Sequence, residues 1–140
     1  MIQKVLITGG AGFIGSNLAE RLLKHGYKVW VVDNFSGSAS RNIQDLLKSR
    51  NFNFVRGDIL DESLMKKLVK NTTKIWHLAA TMGVKRIIEQ PLDSFVNNID
   101  GTKMILSLAS IKKIPVLIAS SSEIYGKNPH LPFEEEADRV

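Results

Sequence analysis

The chain alternates between two patterns of hydrophobic residues. Short, near-continuous apolar runs rich in β-branched residues predict buried strands over Lys4–Thr8, Lys28–Asp33 and residues 52–58, 74–80 and 115–121. Between them, apolar residues recur every three or four positions. This spacing predicts helices over Phe13–Lys24, residues 43–48, residues 62–70 and residues 91 to about 111. Residues 81–90 are ambiguous between the two patterns.

Residues that start and stop helices lie at the ends of these segments. Gly26 follows the first helix, Asp61 can cap the third, and Pro91 suits the first turn of the last. Apolar strands that alternate with helices predict a parallel sheet with helices on both faces, a doubly wound α/β fold. Only a loop follows the last strand, so we expect the sheet to be incomplete at its C-terminal side.

Composition narrows the class of protein. The 140 residues are 44% hydrophobic and 24% charged, which is typical of one soluble globular domain. The absence of cysteine excludes disulfides and thiolate metal sites, and the histidines lack metal-type spacing, so no metal is predicted. No apolar run approaches the ~18 residues of a transmembrane helix, and the N-terminus lacks signal-peptide features. We therefore expect a cytoplasmic protein with no membrane partner.

The charge pattern bears on the possible partners. The formal net charge is +5, but the basic residues are scattered and form no block of five or six like charges. A nucleic-acid partner is therefore not predicted, because such binding needs a clustered basic face. The positive excess suits a small anionic ligand.

A glycine-rich loop joins the first predicted strand to the first predicted helix. Gly10, Gly12 and Gly15 have the spacing G-x-G-x-x-G, which is a weak signal alone and a strong one between a strand and a helix. Glycines there permit a tight turn, a close approach of the backbone to a pyrophosphate, and close packing of helix on strand. The helix N-terminus then offers free N–H groups and the positive end of its dipole to phosphates.

An acidic residue stands where a dinucleotide site requires one. Asp33 ends the second predicted strand, 18 residues after Gly15, near the ~20 expected for an acid that binds ribose hydroxyls. A carboxylate there accepts from a 2′-OH and repels a 2′-phosphate, so the pattern favours NAD over NADP. The plainer alternative is a packing turn and a solvated acid.

Six motifs in order make the chain resemble a known family. They are TGGAGFIGSNL (residues 8–18), VVDNFSGS (31–38), GDI (57–59), HLAA (77–80), NNIDGT (97–102) and SSSEIYG (120–126). In this order they resemble the extended short-chain dehydrogenases/reductases, which are NAD-dependent epimerases, dehydratases and decarboxylases acting on nucleotide sugars. The resemblance covers essentially all 140 residues.

The resemblance implies a role in NAD binding for residues in five of these motifs. The pyrophosphate loop would be formed by Gly9, Gly12, Phe13, Ile14 and Gly15, and the adenosine ribose loop by Asp33, Asn34, Ser36, Gly37 and Ser38. Asp58 and Ile59 match the adenine contact. Leu78, Ala79, Ala80 and Thr81 match the wall beside the nicotinamide ribose, and Asn98 matches a polar contact on the following helix.

The sixth motif is implied to carry catalytic groups. Ser121, four residues before Tyr125, matches the family's catalytic Ser/Thr, whose hydroxyl binds the sugar's C4 oxygen. Glu123 follows in a Ser-Ser-Glu sequence that resembles UDP-glucuronate decarboxylases, and it could act in proton transfer. Glu123 could also be a solvated loop acid, and His77 is interpreted as a hydrogen-bonded core residue.

The family's catalytic base is not found at its expected place. That base is a Tyr followed four residues later by Lys, about 25 residues after the sixth motif, and Tyr125 has Pro129 at this spacing. We therefore expect residues 1–140 to be the N-terminal NAD-binding domain of an enzyme that transiently oxidises C4 of a UDP- or dTDP-sugar, without its substrate domain and inactive alone. The alternative is a stand-alone dinucleotide-binding module or truncated domain. An incomplete sheet also predicts self-association, and a homo-oligomer is expected.

Overall fold

The fold is an α/β sandwich built on one parallel sheet. The computed structural model describes residues 3–81, 84–129 and 131–137, with the backbone alone for residues 84–86. Within these residues the strands are β1 (Lys4–Thr8), β2 (Lys28–Asp33), β3 (Phe52–Arg56), β4 (Lys74–His77) and β5 (Val116–Ile118). The α-helices are α1 (Phe13–Lys24), α2 (Glu62–Val69), α3 (Val84–Glu89) and α4 (Pro91–Ile111).

The order of the strands creates a crevice at one edge of the sheet. The described strands lie in the order β3-β2-β1-β4-β5, and every neighbouring pair is parallel. The chain moves outward from β1 to β3 and then returns to the other side of β1 with β4. In open α/β sheets, ligands bind at this reversal of strand order, outside the carboxyl ends of the strands. Here the reversal lies between β1 and β4.

The middles of β1 and β2 are apolar because these inner strands are buried on both faces. Val5, Ile7 and Val31 belong to one core cluster, together with Ala19 of α1. Leu6 and Val32 point the other way, into a second cluster with α2 and α4. Successive side chains of a strand point to opposite faces, so a strand covered on both sides needs no polar position. The prediction of a doubly wound α/β fold is confirmed.

The helix boundaries follow the sequence signals. The side chain of Asp61 accepts a hydrogen bond from the backbone N–H of Leu64, which caps α2. This bond lowers the pKa of Asp61 below its usual range. Pro91 is the first residue of α4, and Gly26 takes the left-handed conformation after α1, with a φ of 81°. None of the described helices is long and apolar enough to cross a membrane.

The structure differs from the predicted elements in two ways. The predicted helix over residues 43–48 is instead two 3₁₀ turns, Ser40–Ile43 and Leu46–Lys48. Ile43 and Leu46 are both buried in the core, and their spacing of three residues suits the three residues per turn of a 3₁₀ helix. Three predicted strands also end early, at Arg56, His77 and Ile118, because the residues that follow form loops at the carboxyl edge.

Candidate functional site

The glycine loop lies against the end of β4, at the reversal of strand order. Gly9 has a φ of 68°, a conformation that side chains rarely adopt. A Cβ on Gly9 would lie 2.7 Å from the backbone nitrogen of Ala79, so no other residue fits there. The loop after β1 and the loop after β4 are therefore in direct backbone contact, and together they form the floor of the crevice.

The start of α1 is held close to the same loop. A Cβ on Gly15 would lie 2.6 Å from both the Cα of Gly10 and the carbonyl oxygen of Gly9. Among described residues other than its chain neighbours, a Cβ on Gly12 would come within 4 Å of only the Gly9 oxygen, at 3.2 Å. Gly12 therefore faces a more open space. The first N–H groups of a helix lack intrahelical partners, so α1 presents donors beside it.

The carboxylate of Asp33 joins the glycine loop to the loop after β2. Its Oδ2 accepts from the backbone N–H of Ala11 at 3.0 Å. Its Oδ1 accepts from the backbone N–H of Phe35 and from the hydroxyl of Ser38, both at 2.8 Å. A carboxylate offers about four acceptor positions, so three are used by the protein. Asp33 is 9% exposed, and one acceptor position remains.

The loops after β2 and β3 meet through a second carboxylate. Asp58 Oδ2 accepts from the side-chain amide of Asn34 at 3.0 Å, and Oδ1 accepts from the backbone N–H of Leu60 at 2.9 Å. Ile59, by contrast, is buried, and its side chain packs on Gly101 of α4. Asn34 and Asp58 thus present one polar rim, while the Ile59 side chain faces the core.

Two consecutive asparagines of α4 hold the segment after β4. Asn98 Oδ1 accepts from the backbone N–H of Thr81 at 2.7 Å, and its Nδ2 donates to the Thr81 carbonyl at 3.3 Å. Asn97 Nδ2 donates to the hydroxyl of Thr81 at 3.0 Å. The amide of Asn98 therefore fixes the Thr81 backbone on both sides.

A buried histidine lies between β1 and α4. His77 Nδ1 is 2.7 Å from the hydroxyl of Thr8, and Nε2 is 3.0 Å from the hydroxyl of Thr102. Burial lowers the pKa of His77 below its usual range, because the charged imidazolium is poorly solvated there. The interpretation of His77 as a hydrogen-bonded core residue agrees with this environment.

Ser121 lies just beyond β5, at the start of a 3₁₀ turn, Ser122–Tyr125. Its Oγ accepts from the backbone N–H of Glu123 at 3.2 Å, which leaves the hydroxyl hydrogen available for another acceptor. Both side chains are exposed. The ring of Tyr125 stacks on Phe133 at 4.9 Å, which attaches the turn to the loop that follows.

Comparison with known proteins identifies the family. The family model for GDP-mannose 4,6 dehydratase matches residues 6–139. The chain belongs to this family. Its relatives include UDP-sugar decarboxylases and 4-epimerases, so the predicted membership of the extended short-chain dehydrogenases/reductases is confirmed.

Three relatives illustrate the match. The UDP-N-acetyl-alpha-D-glucosaminuronate decarboxylase of Bacillus cytotoxicus is 44% identical over all of this chain, which spans 43% of that protein. The UDP-glucose 4-epimerase of Bos taurus is 35% identical over 96% of this chain and 42% of its own length. The crystal structure of a Brucella ovis UDP-glucose 4-epimerase in complex with NAD superposes with a TM-score of 0.83, at 32% identity, over 99% of this chain and 42% of that one.

The fold brings residues from all the predicted parts of the site to one edge of the sheet. Asp33 is the last residue of β2, and the carboxyl ends of the other four strands are followed by Gly9, Asp58, Thr81 and Ser121. Sequence reasoning missed the residues that hold them in place, namely Thr8, Ala11, Asn97 and Thr102. The NNIDGT motif contained two of these, but no periodicity or spacing indicated their partners.

Proposed function

We propose that this chain is an NAD-binding domain of a nucleotide-sugar-modifying enzyme. The observation that carries the proposal is the clamp on Ala11, in which the Asp33 carboxylate holds the glycine loop beside the N-terminus of α1. A phosphate-binding loop and a ribose-binding acid are thereby joined at the reversal of strand order, where dinucleotides bind in this class of fold. NAD in the related Brucella ovis structure supports the same cofactor.

The residues present fit NAD along its length. Gly12, Phe13 and Ile14 would hold the pyrophosphate with backbone N–H groups, in the open space at Gly12. Asp33 and Ser38 would bind the adenosine ribose, and Asp58 the adenine amine. Leu78, Ala79, Ala80 and Thr81 would line the nicotinamide ribose. The remaining proposed contacts are from Gly9, Gly15, Asn34, Ser36, Gly37 and Asn98, and from the backbone of Ile59, whose side chain lies in the core. When bound, NAD supplies hydride chemistry, and the protein orients it.

A UDP-sugar carboxylic acid is the substrate that we propose for the whole enzyme. Ser121 would donate its free hydroxyl hydrogen to the C4 oxygen of the sugar, and Glu123 would take part in proton transfer. Two observations favour decarboxylation over epimerisation: the Ser-Ser-Glu sequence and the 44% identity to a decarboxylase.

The 140 residues would bind the cofactor without turning over a sugar. Neither Tyr27 nor Tyr125 has a lysine four residues later, so the family's Tyr–Lys base is not among these residues. The proposed domain organisation is therefore an N-terminal NAD-binding domain whose catalysis needs a further substrate domain. A stand-alone dinucleotide-binding module is distinguished from this by the second experiment below.

Calorimetric titration tests the cofactor. We expect NAD to bind at least about ten-fold more tightly than NADP, because the Asp33 carboxylate repels a 2′-phosphate. The substitution Asp33→Asn should weaken NAD binding and reduce the preference for NAD over NADP. It removes the charge and replaces one of the two acceptor oxygens, which bind Ala11, Phe35 and Ser38, by a donor. Asp45→Asn is the matched control, an exposed acid paired with Lys48. Absence of NAD binding, or tighter binding of NADP, contradicts the proposal.

A chimera tests the reaction. These 140 residues would replace the matching segment of the Bacillus cytotoxicus decarboxylase, and release of CO₂ from its nucleotide sugar would be measured. We expect decarboxylation by the chimera and none by the 140 residues with NAD. Ser121→Ala in the chimera should lower kcat and leave NAD bound. A folded, NAD-binding chimera without turnover would favour the stand-alone binding module.

A further inference from the structure

The donor and the acceptor can be assigned in each hydrogen bond around His77. Ala79 donates its backbone N–H to the hydroxyl oxygen of Thr8 at 3.2 Å. The Thr8 hydroxyl hydrogen is then free to point at His77 Nδ1, 2.7 Å away. Nδ1 accepts in this arrangement and therefore carries no proton.

The other side of the ring leads to the same assignment. The hydroxyl of Thr102 donates to the carbonyl oxygen of Asn98 at 2.7 Å, four residues earlier in α4. Its oxygen must then accept from His77 Nε2, 3.0 Å away, so Nε2 carries the proton. Both ends of the ring thus select the neutral imidazole protonated on Nε2.

We propose that His77 is a positioning residue for the cofactor, because it fixes the backbone of Thr81 through Thr102 and Asn98. This inference rests on the proposed NAD-binding function. The chain of hydrogen bonds begins at Thr8, the residue before the glycine loop, and ends at the backbone carbonyl of Asn98. The side-chain amide of the same residue holds Thr81. The two loops that would enclose the nicotinamide end of NAD are therefore set relative to one another by one ring.

Thr102 connects the His77 ring to Asn98. Its hydroxyl lies between the His77 ring and the Asn98 carbonyl, one helical turn from the amide that holds Thr81. Without that hydroxyl, the Nε2–H of His77 would lose its partner inside the protein, which is unfavourable for a buried donor. The ring would then move, and α4 would lose the hydrogen bond between Thr102 and His77 that joins it to β4 one helical turn from Asn98.

NMR spectroscopy on the full chain tests the tautomer and the transmission. Long-range ¹H–¹⁵N correlations should show the proton of His77 on Nε2 and none on Nδ1 at pH 7.5. The amide proton of Thr81 should be strongly downfield, since its N···O distance to Asn98 is 2.7 Å. In Thr102→Val this amide should shift upfield and exchange faster, whereas Thr102→Ser should preserve it. A proton on Nδ1 would overturn the assignment.

Titration with NAD tests the cofactor role. We expect about five- to ten-fold weaker binding by Thr102→Val, and wild-type affinity for Thr102→Ser, which keeps the hydroxyl. Thr72→Val is the matched control, because buried Thr72 also donates to a carbonyl four residues earlier, that of Leu68, outside the site. It should lower stability without changing NAD affinity or the Thr81 amide.

The outcomes separate the two proposals. Equal NAD affinities of the Thr102→Val and Thr102→Ser variants, with wild-type protein that binds NAD, would overturn the role of His77 and leave the proposed function intact. Wild-type protein that does not bind NAD would overturn both. Equal losses in Thr102→Val and Thr72→Val would show a general loss of stability and would also overturn the positioning role.

Discussion

At the scale of single residues, the glycines of the cofactor loop serve different physical needs. Gly9 is required by its positive φ and by its contact with the Ala79 backbone. Gly15 is required by packing alone, since its Cβ would meet the backbone of Gly10 and Gly9. Gly37, in the loop after β2, has no atom within 4 Å of the place for its Cβ among the described residues outside its chain neighbours. A larger side chain should therefore be tolerated at position 37 but not at positions 9 and 15.

Alanine substitutions should show which of these glycines is required by close packing. Gly15→Ala is expected to lower the free energy of unfolding by about 1–3 kcal/mol, because a Cβ 2.6 Å from backbone atoms cannot be relieved by a rotamer change. Gly37→Ala is the control and should change it by less than about 0.5 kcal/mol. Urea denaturation measures both. Equal effects would mean that the first turn of α1 can move away from the loop.

The buried His77 should make stability depend on pH. Its pKa is lowered by burial, so the unfolded chain binds the proton more readily than the folded one. The stabilisation is present in full above about pH 6.5, the ordinary pKa of histidine, and is lost as the pH falls from there towards the folded pKa.

Urea denaturation between pH 5 and pH 8 measures this effect. The wild-type protein should lose more unfolding free energy on acidification than the His77→Gln variant, because a glutamine side chain does not titrate in this range. Parallel pH profiles for the two proteins would show that His77 is not protonated differently in the folded and unfolded states.

At the scale of elements, α4 is held against the sheet by a contact between a glycine and an isoleucine. A Cβ on Gly101 would lie 2.3 Å from the Cδ1 of Ile59, in the loop between β3 and α2. The glycine of the NNIDGT motif thus admits the Ile59 side chain, which lets α4 approach closely enough for Asn98 to reach Thr81. The motif identified the family, but its glycine could not be explained before the packing was known.

A double-mutant cycle tests this contact. Gly101→Ala should destabilise the protein by about 1–2 kcal/mol, because the overlap with Ile59 outweighs the gain in helix propensity. In an Ile59→Val background, which lacks the Cδ1 atom, the same substitution should be less unfavourable by at least about 0.5 kcal/mol. Additive effects would show that the two side chains do not meet.

At the scale of the whole molecule, α4 and the last strand of the described sheet expose apolar residues. Leu92, Phe95 and Ile99 of α4 are 71%, 63% and 52% exposed, and their spacing places them on one face of the helix. Leu117 and Ile118 of β5 are also exposed, and β5 is the last strand in the order of the described sheet. An exposed apolar helix face and an unpaired strand edge both favour association.

Self-association is therefore predicted for this chain. Sedimentation velocity should show mass that rises with protein concentration, and Phe95→Lys should shift the distribution towards monomer. Leu47→Lys is the control, because Leu47 is exposed beside the core cluster on the other face of the sheet. A clean monomer at high concentration would contradict the prediction, as would equal effects of the two lysines.

Much of this protein was determined by sequence alone, because local patterns report local structure. The alternation of apolar runs and helical spacing indicated the α/β class, and the glycine spacing with Asp33 at a strand end indicated a dinucleotide site. Element boundaries at the carboxyl edge were less well determined. At His77, for example, the apolar run continues past the end of the strand through Leu78, Ala79 and Ala80.

Only the tertiary structure decided which groups meet. Asp33 reaches Ala11 across 22 positions of the sequence, and His77 reaches Thr8 across 69 and Thr102 across 25. These contacts depend on strand order and on the approach of α4, for which a single sequence carries no signal. The sequence predicted residues that would face the cofactor, and only the fold showed which side chains hold them, because positioning needs partners distant in the chain.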